Sequence, residues 1–390
     1  MAQNRTYLDY NASAPLLPCA REAMFDALNC VGNPSSVHYE GRQAKKMLEE
    51  ARAALGKAIS ASGNQIVFTS GASEAATHVL SPIIRAGGRE VEISRLYLSA
   101  VEHPCILAGG RFAKEQISHL PVTEAGLVQL PVLEAMLKAH DHAKGAPMVA
   151  VMLANNETGT LQPIAEIAEL VHAHDGFLVV DAVQAFGKVE LDVSTLSAHF
   201  VILSSHKIGG PKGAGAVIFG DASISPQPMI LGGGQENFQR GGTENLAAIA
   251  GFGAAAAQMS GAMDKISDIS IVRDSIEAGV STICSLAGNK AGPPVFFGKN
   301  SERLPNTSCF AVPGVKAETA LISLDLAGIA VSSGSACSSG KVRKSHVLEA
   351  MGVDDDLAAC ALRVSTGATT TNEDAERFLG AFKDIVSRVA

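Results

Sequence analysis

The amino-acid sequence predicts an α/β fold, a mainly parallel sheet covered by helices, with a smaller α+β unit after it. Three observations carry this. Apolar strand-like runs alternate with helical patterns over roughly the first 260 residues. Several of those strands end in a polar cluster, which is the layout of a ligand crevice beyond the carboxyl ends of parallel strands. After about residue 260, isolated strands and helices mix without that alternation.

The elements follow in chain order. Residues 42–59 carry apolar side chains at helical spacing and predict a helix. Gln65-Ile66-Val67-Phe68 reads as a strand that runs into Thr69-Ser70-Gly71-Ala72-Ser73-Glu74, where the next helix opens. Leu96-Tyr97-Leu98 predicts a strand ahead of Glu102-His103-Pro104. The apolar run 148–153 ends in Ala154-Asn155-Asn156-Glu157-Thr158-Gly159, and residues 164–174 are helical in pattern. Val179-Val180-Asp181 ends a strand on a carboxylate, and residues 200–203 form another that ends in Ser204-Ser205-His206-Lys207. The alanine- and glycine-rich run 246–259 is too short to span a bilayer and reads as a packed helix. Cys309-Phe310-Ala311-Val312 and Ala361-Leu362-Arg363-Val364 are strands of the second unit. No internal repeat, heptad run or low-complexity linker interrupts this order.

Composition limits the function classes. The 390 residues leave room for two domains, and 47% hydrophobic against 18% charged residues describes a compact soluble globule. A net charge of −8 without a basic block argues against nucleic acid or an anionic membrane as partner. The N-terminal residues lack the charged-then-apolar layout of a secretory signal, so a cytoplasmic protein is expected. Seven cysteines are scattered, odd in number and free of CxxC pairs, which is neither a disulfide framework nor a zinc site; no metal is expected. Most read as small buried hydrophobes in a reducing compartment.

The polar clusters suggest a chemistry. A lysine at a strand end can form a Schiff base, and an aspartate can hold a pyridinium nitrogen protonated. Lys207 and Asp181 therefore suit pyridoxal 5′-phosphate (PLP), although Lys207 is equally compatible with a surface loop lysine. Free N–H groups at the helix start after Gly71, with the Ser73 hydroxyl, suit a phosphate, while serine and glycine are also ordinary helix-start residues. His103 could stack on a cofactor ring and shuttle protons, or be a structural histidine. Asn156 and Gln184 are neutral donors suited to a phenolic oxygen, and the Asn155–Gly159 stretch is also ordinary turn chemistry.

The ordered motifs are more specific. Leu8-Asp9-Tyr10-Asn11-Ala12-Ser13-Ala14-Pro15, Gly32-Asn33-Pro34-Ser35-Ser36, Phe68-Thr69-Ser70-Gly71-Ala72-Ser73-Glu74, Glu102-His103 and Asn155-Asn156-Glu157-Thr158-Gly159 come first. Asp181-Ala182-Val183-Gln184, Ser205-His206-Lys207, Arg240-Gly241-Gly242-Thr243-Glu244-Asn245 and Ser332-Ser333-Gly334-Ser335-Ala336-Cys337-Ser338-Ser339 follow. Together the chain resembles the NifS/IscS-like cysteine desulfurases, in their long-loop group. These are class V aminotransferase relatives within the fold-type I PLP enzymes. The resemblance implies a large PLP-binding domain over residues 15–258 with a mainly parallel seven-stranded sheet. It also implies a small domain from residues 1–14 and 259–390 that carries the cysteine loop.

The resemblance also implies roles. Lys207 would carry the cofactor as a Schiff base, Asp181 would pair with the pyridinium nitrogen, and His103 would stack on the ring. Asn156 and Gln184 would bond the phenolic oxygen. Ala72, Ser73, Ser204 and His206 would hold the phosphate, joined by Thr243 of the other subunit of a homodimer. Arg363 would grip the carboxylate of L-cysteine with help from Asn33, although a surface salt bridge is the alternative for an arginine read by itself. Cys337 sits in a run too small and polar to bury a hydrophobe, and Lys341, Arg343 and Lys344 nearby favour a thiolate. It would take sulfur as a persulfide and pass it to an acceptor or iron–sulfur scaffold protein. A selenocysteine lyase, an aminotransferase of the same fold, or a non-catalytic sulfur-relay subunit are the competing readings. The chain departs from the family pattern at Ser73, usually threonine, at Ala75-Ala76-Thr77-His78, and at Asn237-Phe238-Gln239.

Overall fold

The computed structural model describes residues 5–262, 266–287, 292–333 and 344–389. Its main body is a nine-stranded sheet. In chain order the strands are β1 (Ile66–Thr69), β2 (Ile83–Ala86), β3 (Arg89–Ser99), β4 (Ile117–Leu120) and β5 (Ala146–Met152). They continue as β6 (Phe177–Asp181), β7 (Phe200–Ser204), β8 (Gly215–Phe219) and β9 (Ile224–Pro226). The spatial order is β9-β2-β3-β5-β6-β7-β8-β1, with β4 beside the second half of β3. Contacts among β3, β4, β5, β6 and β7 are parallel, β8 runs antiparallel to β7, and β1 runs antiparallel to β8. Strand β1 therefore points the same way as β7.

Seven of these strands form the expected mainly parallel sheet, and β2 and β9 extend it by two. The extension exists because β3 is eleven residues long. Its first half pairs antiparallel with β2 and its second half parallel with β4. Gly87 and Gly88 close the β2–β3 hairpin in two residues, with φ of 56° and 78°. A two-residue turn of that hand needs positive φ at both positions, which glycine adopts without a Cβ clash. That Gly-Gly pair is the signal in the sequence that marks the hairpin.

Alternation along the strands feeds two cores. Val149 and Val151, Leu178 and Val180, and Val201 and Leu203 pack on one face. Met148 and Ala150, Phe177 and Val179, and Phe200 and Ile202 pack on the other. Both sets are apolar because helices cover both faces of a parallel sheet. Burying each such side chain stabilises the fold by about 1.5–3 kcal/mol. Among the covering helices are α1 (Pro18–Leu28), α2 (Tyr39–Ala58), α3 (Ala72–Val79), α4 (Pro104–Leu107), α5 (Leu130–Lys138), α6 (Ile164–Ala173) and α7 (Leu246–Ala256). Helices expected over 42–59 and 164–174 thus start or stop within three residues of α2 and α6. The alanine-rich run 246–259 becomes α7, whose side chains are small enough to pack tightly on α1 and α2.

The second unit is built on a four-stranded antiparallel sheet. Its strands are β10 (Val295–Phe297), β11 (Thr307–Ala311), β12 (Ser332–Ser333) and β13 (Ala361–Ser365), in the order β10-β11-β13-β12. Helices α8 (Ile266–Leu286), α9 (Ala317–Leu326) and α10 (Asn372–Val389) cover it. Leu8 from the N-terminal segment is fully buried in this core, beside Phe310, Phe378 and Phe382. The N-terminal strand Thr6–Tyr7 pairs with Ile329–Ala330, so the N-terminal segment is stitched to the second unit.

Candidate active site

Because β1, β3, β5, β6 and β7 point the same way, the segments after their carboxyl ends meet at one edge of the sheet. A cavity of about 570 Å³ lies there. Ala72 and Ser73 reach it from the turn after β1, His103 from the turn after β3, and Asn156 from the loop after β5. Asp181 ends β6 and Gln184 follows it, while Ser204 ends β7 ahead of His206 and Lys207. All of these line the same cavity.

One end of the cavity is rich in donors. Helix α3 starts there, with Gly71 as an N-cap that supplies no side-chain oxygen to the first turn. The N–H of Ala75 is the first to bond within the helix, to Gly71 O at 3.1 Å. Earlier amides of the turn are those a helix leaves for a ligand, and the macrodipole adds partial positive charge. The Ser73 and Ser204 hydroxyls and the His206 ring line the same cavity. The His206 imidazole is pushed down to about 4, by burial first and then by Lys207 and Lys212.

The middle of the cavity holds the titrating groups. Lys207 Nζ donates to the carbonyls of Asn11 at 2.6 Å and Ala12 at 3.0 Å. Asp181 accepts the Val183 N–H at 2.9 Å. Burial raises its carboxyl to about 6, against the pull of that N–H and of Lys207. A cation beside it would be stabilised by this otherwise buried carboxylate. Glu102 is fully buried, held well above the usual carboxylate range by burial and by Asp181.

His103 caps α4. Its Nδ1 accepts the Cys105 N–H at 3.2 Å, so the neutral ring carries its proton on Nε2. Burial, then Lys207 and His346, lower its pKa to about 4. The ring is therefore neutral near pH 7, able to give a proton from Nε2. Cys105 also lines the cavity, with its Sγ 3.0 Å from the same Nδ1.

Arg363 on β13 stands just behind this wall. It is 3% exposed, with Nη1 donating to Asn156 O at 2.9 Å and Nη2 to Asp9 Oδ1 at 2.8 Å. Its Nε has no partner among the described residues. Asn33 is not brought to the cavity: it is exposed, and its side chain accepts the Ser35 N–H at 2.9 Å. Thr243 is exposed and lines a neighbouring cavity of about 180 Å³ that shares Ser70 and Gly213 with the first. Cys337 lies outside the described residues.

Sequence reading alone missed Asp9 as a partner of Arg363, Cys105 beside His103, and Lys188 beside Gln184. Only Cys105 carried a local signal, two residues after His103 at the first turn of a helix opened by proline.

The sequence profile of the aminotransferase class-V family matches residues 6–378. The chain belongs to the class-V aminotransferase family. Within that family it is 35% identical to the cysteine desulfurase IscS of Dictyoglomus turgidum, over 99% of this chain and 96% of that one. It is 37% identical to a cysteine desulfurase of Cereibacter sphaeroides, over 99% and 96% of the two chains. Among solved structures, a NifS-like protein from Rickettsia africae superposes with a TM-score of 0.83 at 32% identity, covering 98% of this chain and 99% of that one. The resemblance to NifS/IscS-like cysteine desulfurases and the fold-type I architecture expected from it both hold. Among the described residues, no helix of this class-V family member is long and apolar enough to cross a membrane.

Proposed function

We propose that the protein is a PLP-dependent cysteine desulfurase, converting L-cysteine to L-alanine and taking the sulfur as a persulfide on Cys337. The observation that carries this reading is the convergence of Lys207, Asp181 and His103 on one cavity in a chain of this family. The donor set fits the cofactor. The uncapped start of α3 with Ser73, Ser204 and His206 suits its phosphate, and buried Asp181 suits its ring nitrogen. Asn156 and Gln184 suit its phenolic oxygen. When bound, PLP supplies the electron sink that makes the substrate α-carbon acidic.

The protein's own residues then do the following. Lys207 would hold the cofactor through its amine and, as a free amine, would take the substrate α-proton. Arg363 grips the substrate carboxylate, its fork oriented by Asp9 and Asn156 O. Neutral His103 offers the Nε2 proton at the cavity wall. The Cys337 thiolate attacks the substrate sulfur. An S–S bond forms as the Cβ–S bond breaks, and the electron pair returns to the carbon skeleton, which is protonated and leaves as alanine.

In this reading residues 15–258 form the cofactor domain, and residues 1–14 with 259–390 form the domain that brings Arg363 and Cys337. The working form is a cytoplasmic homodimer in which Thr243 completes the partner's phosphate site. The sulfur goes on to an acceptor or iron–sulfur scaffold protein.

The test uses two variants of the holoenzyme. Cys337→Ser should keep the yellow colour of the cofactor and lose alanine formation from cysteine. Lys207→Ala should lose both the wild-type absorption band and turnover. Persulfide formation in Cys337→Ser, or keto-acid exchange in place of sulfur release by the parent, would overturn the assignment.

A further inference from the structure

Gln184 reaches the cavity from a tight double turn after β6. The N–H groups of Ala185 and Phe186 donate to Ala182 O at 3.1 and 3.0 Å, and those of Lys188 and Val189 donate to Ala185 O at 2.9 and 3.1 Å. Gly187 makes the reversal at φ 76°, and a Cβ there would lie 2.4 Å from Met259 Sδ. The turn folds Lys188 back onto Gln184, with Nζ donating to Oε1 at 2.6 Å. Lys188 faces a second cavity of about 580 Å³, Gln184 faces the first, and Lys207 lines both.

The amide of Gln184 is thereby held at both ends. Its Oε1 accepts from Lys188, and its Nε2 donates to Asn11 O at 2.8 Å, the carbonyl that also accepts from Lys207 Nζ. Turning the amide over would set Oε1 against Asn11 O, two acceptors, and would set the NH2 group against the Lys188 amine. The bond to Asn11 O would be lost outright, and Lys188 could no longer donate to the amide. In the orientation held, one Nε2 hydrogen is used by Asn11 O and the second remains for an oxygen in the cavity.

We propose that Lys188 is a positioning residue for the cofactor site, fixing the Gln184 amide so that its NH2 group serves the ring oxygen of the bound cofactor. The inference rests on the reading of Gln184 as a donor to that oxygen. Burial, together with Lys207 and Arg363, holds the Lys188 amine well below the usual lysine range, and the amine keeps hydrogens to donate in either protonation state.

The experiment is a double-mutant cycle on the holoenzyme with Lys188→Met, Gln184→Leu and the pair, plus Lys188→Arg. Its readouts are PLP affinity and the pH midpoint of the bound chromophore, with the thermal midpoint as the folding control. Lys188→Met should weaken PLP binding about 3- to 10-fold, the size of one lost hydrogen bond, and raise the chromophore midpoint as Gln184→Leu does. Lys188→Arg should restore most of both. In the Gln184→Leu background, Lys188→Met should add nothing. If Lys188→Met does not fold, Lys188→Gln takes its place in the cycle. If Gln184→Leu shifts both readouts and the Lys188 substitution shifts neither, or shifts them equally without Gln184, Lys188 is not a positioning residue. If Gln184→Leu itself shifts neither, the reading of Gln184 fails and takes this inference with it.

Discussion

Asp9 and Arg363, 354 residues apart in sequence, form a partly buried ion pair of 2.8 Å behind the cavity wall. The other Asp9 oxygen accepts the Ser332 hydroxyl at 2.8 Å, so one carboxylate ties the proposed substrate clamp to β12, next before the cysteine segment in sequence. Arg363→Lys would lose the planar fork, and each charge-assisted bond is worth about 1.5–3 kcal/mol. The expected result is a 10- to 100-fold fall in kcat/KM for L-cysteine, on the order of one such bond, with PLP binding retained. Asp9→Asn should fall in the same direction by a smaller factor, since Arg363 keeps Asn156 O. Steady-state alanine release checks both, and an unchanged kcat/KM in Arg363→Lys would remove Arg363 from substrate binding.

Glu236 and Arg52 form a second buried pair. Arg52 donates two bonds to the Glu236 carboxylate, at 2.8 and 2.9 Å, and a third to Ile66 O. Glu236 also accepts the Phe68 N–H at 2.8 Å. Glu236, Asn237 and Phe238 are consecutive left-handed residues, φ 46°, 54° and 64°, so the pair anchors a strained turn to β1. Glu236→Ala leaves the Phe68 N–H without a partner and the buried Arg52 guanidinium with only Ile66 O and the exposed Glu49, and should cost about 3–5 kcal/mol in urea unfolding of the apoprotein. A loss below about 1 kcal/mol, the worth of an exposed pair, would show that the segment is not held by this contact.

His78 gives a pH dependence with a definite sign. It is buried at 2% exposure, its Nε2 has no partner among the described residues, and burial then Arg111 push it down to about 4. Between about pH 6.5 and pH 4 the unfolded chain binds the proton that the folded chain refuses, so stability from this group is full above that window and lost as pH falls. His78→Asn removes the effect. Its stability relative to the parent should rise on going from pH 7 to pH 4, by about 3 kcal/mol at 1.36 kcal/mol per unit. Urea midpoints of both apoproteins at the two pH values make the check, and parallel curves would contradict it.

Cys105 and Cys337 should differ as nucleophiles. Burial, then the charges of Asp181 and Glu102, push the Cys105 thiol up to about 12, so it stays protonated at pH 8 although it lines the cavity. Iodoacetamide at pH 8 should alkylate Cys337 and leave Cys105 unmodified, as read by mass spectrometry of peptides. Labelling of Cys105 at a comparable rate would show that its environment is more open.

Much was legible in the sequence because it is local. Alternating apolar residues in β5, β6 and β7 and the polar residues just beyond each strand end lie within a few positions of one another. Together they give the parallel sheet and the edge where Ser73, His103, Asn156, Asp181 and Lys207 meet. The hairpin through Gly87 and Gly88 was written there as well, in a pair of glycines that only register with β3 turns into two added strands. What only the tertiary structure decided are contacts between residues far apart in sequence or facing different cavities. Asp9 meets Arg363 because the chain start is buried in the small sheet's core beside β13. Lys188 meets Gln184 because Gly187 reverses the chain against Met259. Periodicity reports which face of an element is apolar, but which distant partner satisfies a buried polar atom depends on how the elements pack.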